Sequence, residues 1–226
     1  VPTAAANSFL VSDFTITPNV TMNEWAPYSN SLSARKKIPG KKTYTLSFKL
    51  PIVGGGAIAV APRFGVLLKG CGMAETVLGS SAGYQYDPVS SGFKSLTIYA
   101  YLDGICHKVK GAMGSVTIEG EASGIAMATF NFTGNYSEPV DLAMPSSPVF
   151  QDITPEIIEL AAMSFPGCVT GTDIGTSGTY SGGVIQKFSV DIKNTISTVM
   201  DVNSAEGMLY NTITKRDVTM GFNPLV

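Results

Sequence analysis

Alternation of apolar and polar residues is the strongest pattern in the chain. In residues 43–50 the even positions are apolar and the odd positions are polar, which predicts a strand with one buried face. Similar runs bounded by Gly, Asn, Pro or Asp predict further strands at residues 96–102, 115–121, 125–133 and 188–193. The pattern therefore predicts a mainly β fold.

Turn residues join these strands into hairpins. The link Ala122-Ser123-Gly124 connects the runs at 115–121 and 125–133, and Gly124 is expected to take the positive φ that such a turn needs. Residues 96–109 predict a second hairpin, which turns at Asp103-Gly104.

One helix is predicted after Pro62. Apolar residues at positions 64, 67, 68 and 71 have the spacing of one helix face, and Pro62 suits a first helical turn. Gly70 and Gly72 are expected to end this helix.

The second half of the chain has two irregular stretches. Residues 138–155 contain four prolines and predict an extended connection between an N-terminal block, 1–137, and a C-terminal block, 156–226. Residues 171–183 form a loop rich in Gly, Ser and Thr. On pattern alone, residues 155–165 fit either a short helix capped by Thr154 or a strand.

Composition excludes several classes of protein. The 226 residues are 44% hydrophobic and only 14% charged, with a net charge of −2, so the chain should fold rather than stay disordered. The length fits one large domain or two small ones. Ordinary domains carry about 25% charged residues, and the shortfall suggests a subunit whose surface is covered by other chains. No apolar run is long enough for a membrane helix.

The ends and the cysteines suggest an intracellular origin. Residues 1–6 are apolar but have no basic flank, so no signal peptide is expected. Cys71, Cys106 and Cys168 are far apart and odd in number, which favours reduced thiols over a disulfide framework.

Candidate catalytic and metal sites are weak. His107 is the chain's single histidine, and as neighbours on a strand Cys106 and His107 should point to opposite faces, which argues against a nucleophile and base pair. The cysteines lack close CxxC spacing, and Gly54-Gly55-Gly56 is not followed by the Lys of a phosphate loop. Carboxylates two apart on a strand, such as Glu119 and Glu121, share a solvated face. We therefore expect that the protein is not an enzyme and that it binds neither a metal ion nor a cofactor.

The most biased segment is basic. Five of the fifteen Lys and Arg residues lie between positions 33 and 42, around a predicted Pro39-Gly40 turn: Arg35, Lys36, Lys37, Lys41 and Lys42. This segment predicts either an arm that docks on an acidic partner or a solvated hairpin tip. Nucleic-acid binding is disfavoured because the other ten Lys and Arg residues are outnumbered by the seventeen Asp and Glu residues of the chain.

Four stretches carry a family resemblance in their order along the chain: the basic segment and strand at 34–50, the helix running into 67–77, the hairpin pair at 110–134, and residues 201–207. Together they resemble the major tail tube proteins of long-tailed, non-contractile bacteriophages. The resemblance covers roughly residues 30–226.

The resemblance implies a β-sandwich or barrel-like fold with one flanking α-helix and long loops, in a single domain over residues 1–226. It implies a structural virion protein whose hexameric rings stack into a tube, through which DNA passes without specific binding. Expected partners are other copies of the chain and the tape measure, tail terminator and distal tail proteins. The chain is expected in the host cytoplasm before assembly and in the phage tail afterwards, and no association with a membrane is expected.

The resemblance also implies roles for particular residues. In that family a loop near the first strands reaches the neighbouring ring, and the basic segment occupies this place, so its five cations are expected to contact an acidic patch there. Residues 155–165 are expected to be extended. Glu119 and Glu121, on the face of hairpin 115–133 opposite Val116 and Ile118, would line the lumen if that face meets the channel, or the outside of the tube if it does not.

The main alternative is a secreted or surface β-sandwich binding module, an adhesin or carbohydrate-binding domain with its site in the Gly/Thr-rich loops. The expected lack of a signal peptide argues against it. A polysaccharide-active enzyme ranks third because no acid and base pair is evident.

Overall fold

The computed structural model describes residues 7–25, 27–28, 33, 36–58, 60–79, 83–151, 153–159, 184–204 and 206–225. Within these ranges the fold is mainly β, as predicted. The elements in chain order are β1 (Ser12–Glu24), β2 (Lys37–Pro51), α1 (Gly65–Gly70), β3 (Met73–Val77), β4 (Tyr84–Pro88), β5 (Leu96–Leu102), β6 (Ile105–Glu121), β7 (Met127–Asn135), β8 (Val140–Asp141), β9 (Val184–Asp191), β10 (Asn194–Met200), β11 (Met208–Arg216) and β12 (Thr219–Leu225).

One curled antiparallel sheet organises the described residues. Six of its strands follow the order β1-β2-β7-β6-β9-β12, while β5 and β8 pair with the first part of β6. Two smaller antiparallel pairs, β3-β4 and β10-β11, lie outside this sheet. Because β9 pairs with β6, strands from both halves of the chain share one sheet.

The core lies on one face of β2, β7 and β6. The alternation in residues 43–50 directs Tyr44, Leu46, Phe48 and Leu50 to this face, and all four are buried. Register places Phe48 opposite Phe130, and their rings stack with centroids 5.7 Å apart. Such pairs add about 0.5–1.5 kcal/mol beyond the area that they bury.

Helix α1, which was predicted after Pro62, covers this core. Leu67 and Leu68 are buried with Cys71, which follows the helix. The helix ends at Gly70, where a Cβ would lie 2.6 Å from Leu96 Cδ1. Gly72 then takes a φ of +76°, which lets the chain turn directly into β3.

The two predicted hairpins share a single strand. Sequence analysis predicted separate runs before and after residue 110, but β6 runs from Ile105 to Glu121 without a break, pairing first with β5 and then with β7. A register shift between Lys110 and Met113 interrupts the pairing with β7, and Gly111 there has a φ of +57°. This bulge lets one strand serve two hairpins.

Turn positions were predicted with mixed success. The hairpin turn at Asp103-Gly104 is confirmed, with φ values of +47° and +80° that suit a two-residue loop. In the turn between β6 and β7 the prediction for Gly124 was wrong, because Ser123 takes the positive φ, +62°. Gly124 instead donates its N–H to the Glu121 carbonyl at 2.9 Å.

The Pro39-Gly40 turn was also predicted wrongly. Both residues lie inside β2, paired with the end of β1. The connection between β1 and β2 falls at residues 25–36 instead. Pro39 is tolerated because it lies opposite Met22, next to a register shift in a two-stranded ribbon.

The connection after β7 is largely irregular, with β8 as a short exception. Of the ambiguous segment at 155–165, the described part is extended, and Ile157 forms an isolated antiparallel bridge with Ile125. Residues 160–165, the loop at 171–183, Arg35 and Cys168 lie outside the described residues.

Candidate functional site

The face of the large sheet opposite the core is polar. Register aligns odd-numbered residues of neighbouring strands on this face. Met113 and Met127 also lie in this register and are apolar. We call the polar residues of this register the polar face: Thr15, Thr17 and Asn19 on β1, Thr45, Ser47 and Lys49 on β2, Thr129, Asn131 and Thr133 on β7, and Ser115, Thr117 and Glu119 on β6. Ten of these twelve side chains are uncharged, so most of the face offers hydroxyl and amide groups.

The charges on the polar face partly neutralise one another. Lys49 Nζ lies 2.7 Å from an Asp13 carboxylate oxygen. The pKa of Lys49 is raised, chiefly by its hydrogen bond with Asp13 and by the charge of Asp13, and further by the charge of Glu119. Glu119 is exposed, as is Glu121 at the end of the same strand. Val116 and Ile118 lie on the core side, which confirms the predicted division of this hairpin into two faces.

The β10-β11 hairpin lies across one end of the polar face. Asn211, only 1% exposed, donates from Nδ2 to Asn135 Oδ1 at 3.0 Å and to the Gly111 carbonyl at 3.2 Å. Thr198 Oγ1 donates to Asn211 Oδ1 at 2.9 Å. The carbonyl freed by the β6 bulge thus accepts a bond from β11, and the hairpin is fixed on the sheet.

The outermost strands of the large sheet are β1 and β12. Each has one pairing partner among the described residues, so each leaves a backbone edge open on its other side. An open edge can pair with another chain. Because the order β1-β2-β7-β6-β9-β12 contains six antiparallel strands, β1 and β12 run in opposite directions.

The ends of β1 and β2 form an exposed ribbon. We call residues 20–24 and 36–42 the arm. Apart from Lys36, which precedes β2, these residues pair with each other beyond Asn135, where β7 ends, so among the described residues no third strand accompanies them. Residues 20–24 are exposed throughout, including Met22 at 56%, and Ile38 is 55% exposed.

The basic residues occupy different positions on the arm. Lys42 Nζ lies 5.4 Å from the Tyr136 ring centroid, a cation–π contact within the subunit. Lys37 Nζ lies 4.0 Å from a Glu24 oxygen, with both side chains more than half exposed. Lys41 is half-buried and Lys36 is exposed. Lys36 and Lys37 are therefore the most accessible of the described cations in this set.

The opposite end of the sheet is acidic and apolar. The β6-β7 turn is held by segment 156–159, since the Ile158 N–H donates to Gly124 O at 2.8 Å. Ile125 and Ile157, joined by the bridge, are 44% and 55% exposed. Glu156 and Glu159 beside them are exposed. Sequence analysis missed this surface because Ile125 and Ile157 are 32 residues apart.

The groups considered for catalysis, Cys106 and His107, lie near the start of β6 in different environments. Cys106 is buried, while Tyr44 Oη and His107 Nδ1 lie 3.4 Å apart. Burial raises the pKa of Tyr44 to about 12, with further contributions from Tyr136. Burial also raises the pKa of the Cys71 thiol, which disfavours the nucleophilic thiolate.

Within the described ranges, no group of three or more His, Cys, Asp or Glu side chains is arranged to hold a metal ion. Among the same residues, no helix has the length and apolar character needed to cross a membrane.

The family model described as phage tail tube protein matches residues 3–225, nearly the whole chain. No curated protein matches the sequence.

Proposed function

The chain belongs to the phage tail tube protein family, and from that premise we propose that its copies assemble into hexameric rings whose stack forms the conduit for DNA ejection. Membership makes the chain a structural component of the phage tail. It favours this role over the surface binding module and the polysaccharide-active enzyme. We assign the chain no catalytic step and no cofactor.

The polar face is the observation that carries the proposal. It crosses four neighbouring strands, is open over much of its area and is mostly uncharged. DNA held through phosphate contacts with Lys or Arg would bind in a salt-dependent way and move slowly. A surface of hydroxyl and amide groups with its lysine paired to a carboxylate suits DNA that must slide. We therefore propose that the polar face lines the lumen, with Glu119 and Glu121 directed toward the channel.

The open sheet edges support ring formation. Rotation about a tube axis leaves the component of each strand's direction along that axis unchanged from copy to copy. The β12 edge of one copy would then meet the β1 edge of the next in antiparallel orientation. Repeating this heterologous contact closes a ring and pairs the β1 and β12 edges of every copy. Residues 1–226 would act as one domain in this ring, which is supported by the pairing of β9 with β6.

The remaining partners follow from the family role. We propose contacts with the tape measure, tail terminator and distal tail proteins, and a stay in the host cytoplasm before assembly. The basic residues Arg35, Lys36, Lys37, Lys41 and Lys42 are proposed to contact the neighbouring ring.

Electron microscopy of the assembled protein tests the main proposal. We expect tubes of stacked rings whose averaged cross-sections have sixfold symmetry. Tubes with another rotational symmetry would overturn the hexamer, and globular particles at all concentrations would overturn the tube.

The lumen assignment needs its own experiment. Phage carrying Glu119→Lys and Glu121→Lys should assemble tails but eject DNA more slowly, with a delay that shrinks as salt is added, because the new cations bind phosphates. Phage carrying Glu138→Lys and Asp217→Lys, exposed positions elsewhere, serve as the control. Ejection rates equal to wild type at every ionic strength would show that Glu119 and Glu121 do not face the channel.

A further inference from the structure

The two ends of the large sheet are complementary in chemistry. At one end the arm carries Lys36 and Lys37 with the exposed Met22 and Ile38. At the other end Ile125 and Ile157 are exposed and joined by a β-bridge, and the exposed Glu156 and Glu159 are neighbours of Ile157 in sequence. We call this second group the Ile157 surface.

The strand register separates these two surfaces widely. Lys37 begins β2 and Pro51 ends it, and Pro51 lies opposite Met127, next to the β6-β7 turn. At about 3.3 Å per residue, β2 alone spans about 46 Å. The arm therefore cannot fold back onto the Ile157 surface of its own subunit, so an arm that docks there must belong to another copy.

We propose that the Ile157 surface is the docking site for the arm of a second copy stacked head to tail. This inference rests on the proposed tube. The arm's exposed Met22 and Ile38 would cover Ile125 and Ile157, while its lysines would approach Glu156 and Glu159. Within the described residues neither glutamate has an ion-pair partner within 4.0 Å.

The physical state of the arm supports this choice of occupant. An isolated two-stranded ribbon is marginally stable in water because it has no layer to pack against. Its exposed apolar side chains make a covering surface favourable. The Ile157 surface provides apolar contact together with the opposite charge. Charge complementarity of this kind fixes orientation and excludes contacts between like ends.

The placement also explains how rings could stack without limit. A contact between unlike ends is heterologous and leaves one free arm and one free Ile157 surface on every assembly. Like ends would repel, so tail-to-tail stacking is disfavoured. Each ring would engage several arms at once, and this multivalency would compensate for weak individual contacts.

Charge reversal and charge exchange test the docking site. The first variant carries Glu156→Lys and Glu159→Lys, and the second carries Lys36→Glu and Lys37→Glu. Each should form rings but raise the critical concentration for tube growth by at least about tenfold, because attraction becomes repulsion at every arm. A mixture of the two, and a chain with all four substitutions, should recover tube growth. Glu138→Lys with Asp217→Lys is the matched control and should grow tubes normally.

The outcomes separate the docking site from the proposed function. If the wild-type protein forms no tubes, the tube proposal fails and this inference fails with it. If wild-type tubes form and the first variant grows them at an unchanged critical concentration, only the docking site is wrong. Failure of the charge-exchanged chain to recover, with a circular dichroism spectrum like that of wild type, would also overturn it.

Cross-linking provides a second readout that does not depend on charge. In a Cys168→Ser background, tubes of the Ile38→Cys and Ile157→Cys chain should give a ladder of multimers with a short bismaleimide. The native Cys71 and Cys106 are buried and should not react. Replacing Ile157→Cys with Val202→Cys, at a position 99% exposed, should abolish the ladder. Assembled tubes without a ladder from the first pair would contradict the proposed contact.

Discussion

The buried Asn211 offers the sharpest test of how β10-β11 is attached to the sheet. Its side chain makes three hydrogen bonds, with Thr198, Asn135 and the Gly111 carbonyl. Each is worth about 0.5–1.5 kcal/mol net. Asn211→Ala should therefore lower the free energy of unfolding by about 3 kcal/mol. For a chain of this size that corresponds to a melting temperature lower by roughly 6–12 °C.

A second substitution at Asn211 distinguishes the loss of hydrogen bonds from the effect of an acceptor that replaces a donor. Asn211→Asp keeps the size but directs a buried carboxylate at two acceptors, Asn135 Oδ1 and the Gly111 carbonyl. At pH 7 it should destabilise more than Asn211→Ala, because the buried charge would keep only the Thr198 hydroxyl as a donor and would face two acceptors. Acidification should reduce the difference by protonating the introduced carboxylate.

Urea unfolding of the unassembled protein measures both Asn211 variants. Thr214→Ala is the control, since Thr214 is exposed and donates only to the Thr195 carbonyl. It should change stability by less than about 0.5 kcal/mol. If Asn211→Ala stays within about 1 kcal/mol of wild type, or if the Ala and Asp variants are equally stable at pH 7, the bonding scheme is incorrect.

Two further predictions concern the packing around α1 and β6. The hydrogen bond donated by Tyr86 lowers the pKa of Glu75, and the hydrogen bond and positive charge of Lys69 lower it further. Glu75 should therefore contribute stability that is present above about pH 4.3 and is lost on further acidification. The Glu75→Gln variant should show a shallower loss of stability below pH 4.3 in unfolding curves, and an equally steep loss would contradict this. Gly114→Ala should destabilise by about 1–3 kcal/mol, because its Cβ would lie 2.5 Å from the Asn131 carbonyl. Gly54→Ala, with open space at its Cβ, is the control for urea unfolding, and equal stability of the two variants would refute the close approach.

Strongly alternating strands could be predicted from the sequence because burial of one face dictates their pattern. The run at 43–50 lies within β2, and Leu96–Leu102 matches β5 at both ends. The short strands β3 and β4 were missed. They pair with each other and pack beside α1, where Tyr86 Oη donates to Glu75 at 2.7 Å. A contact between residues eleven apart leaves no periodic signal in either segment.

Turn errors share a physical origin. Glycine is the usual choice for positive φ, so Gly124 and the Pro39-Gly40 pair were natural candidates. Ser123 takes the strained position instead, and the Ile158 carbonyl accepts its N–H at 3.2 Å. Pro39 lies in a two-stranded ribbon, where one side of the strand needs no donor. Both outcomes depend on neighbours distant in sequence, and composition alone does not identify those neighbours.

The surfaces proposed for assembly differ in how well they could be predicted from the sequence. The basic segment was visible as a cluster, and the polar face could be inferred for β6 from alternation alone. Its extension over β1, β2 and β7 depends on register, which aligns Thr17 with Thr45 and Thr45 with Thr133. The Ile157 surface required a bridge between distant segments. Sequence therefore indicates the chemistry of each strand, while the fold decides which strands present it together.

The low charge content has a direct bearing on tube growth. In a chain with 14% charged residues, the arm places a cluster of lysines at one end of the sheet, and Glu156 and Glu159 place carboxylates at the opposite end. Most of the polar face between them is uncharged. Such a distribution gives each subunit an axial polarity without giving the proposed channel an attraction for phosphates. If the charges at the two ends were instead spread over the polar face, they would no longer orient the stacking of subunits. The proposed channel would also attract DNA phosphates and slow the passage of DNA. The low charge of the polar face therefore serves both proposed roles.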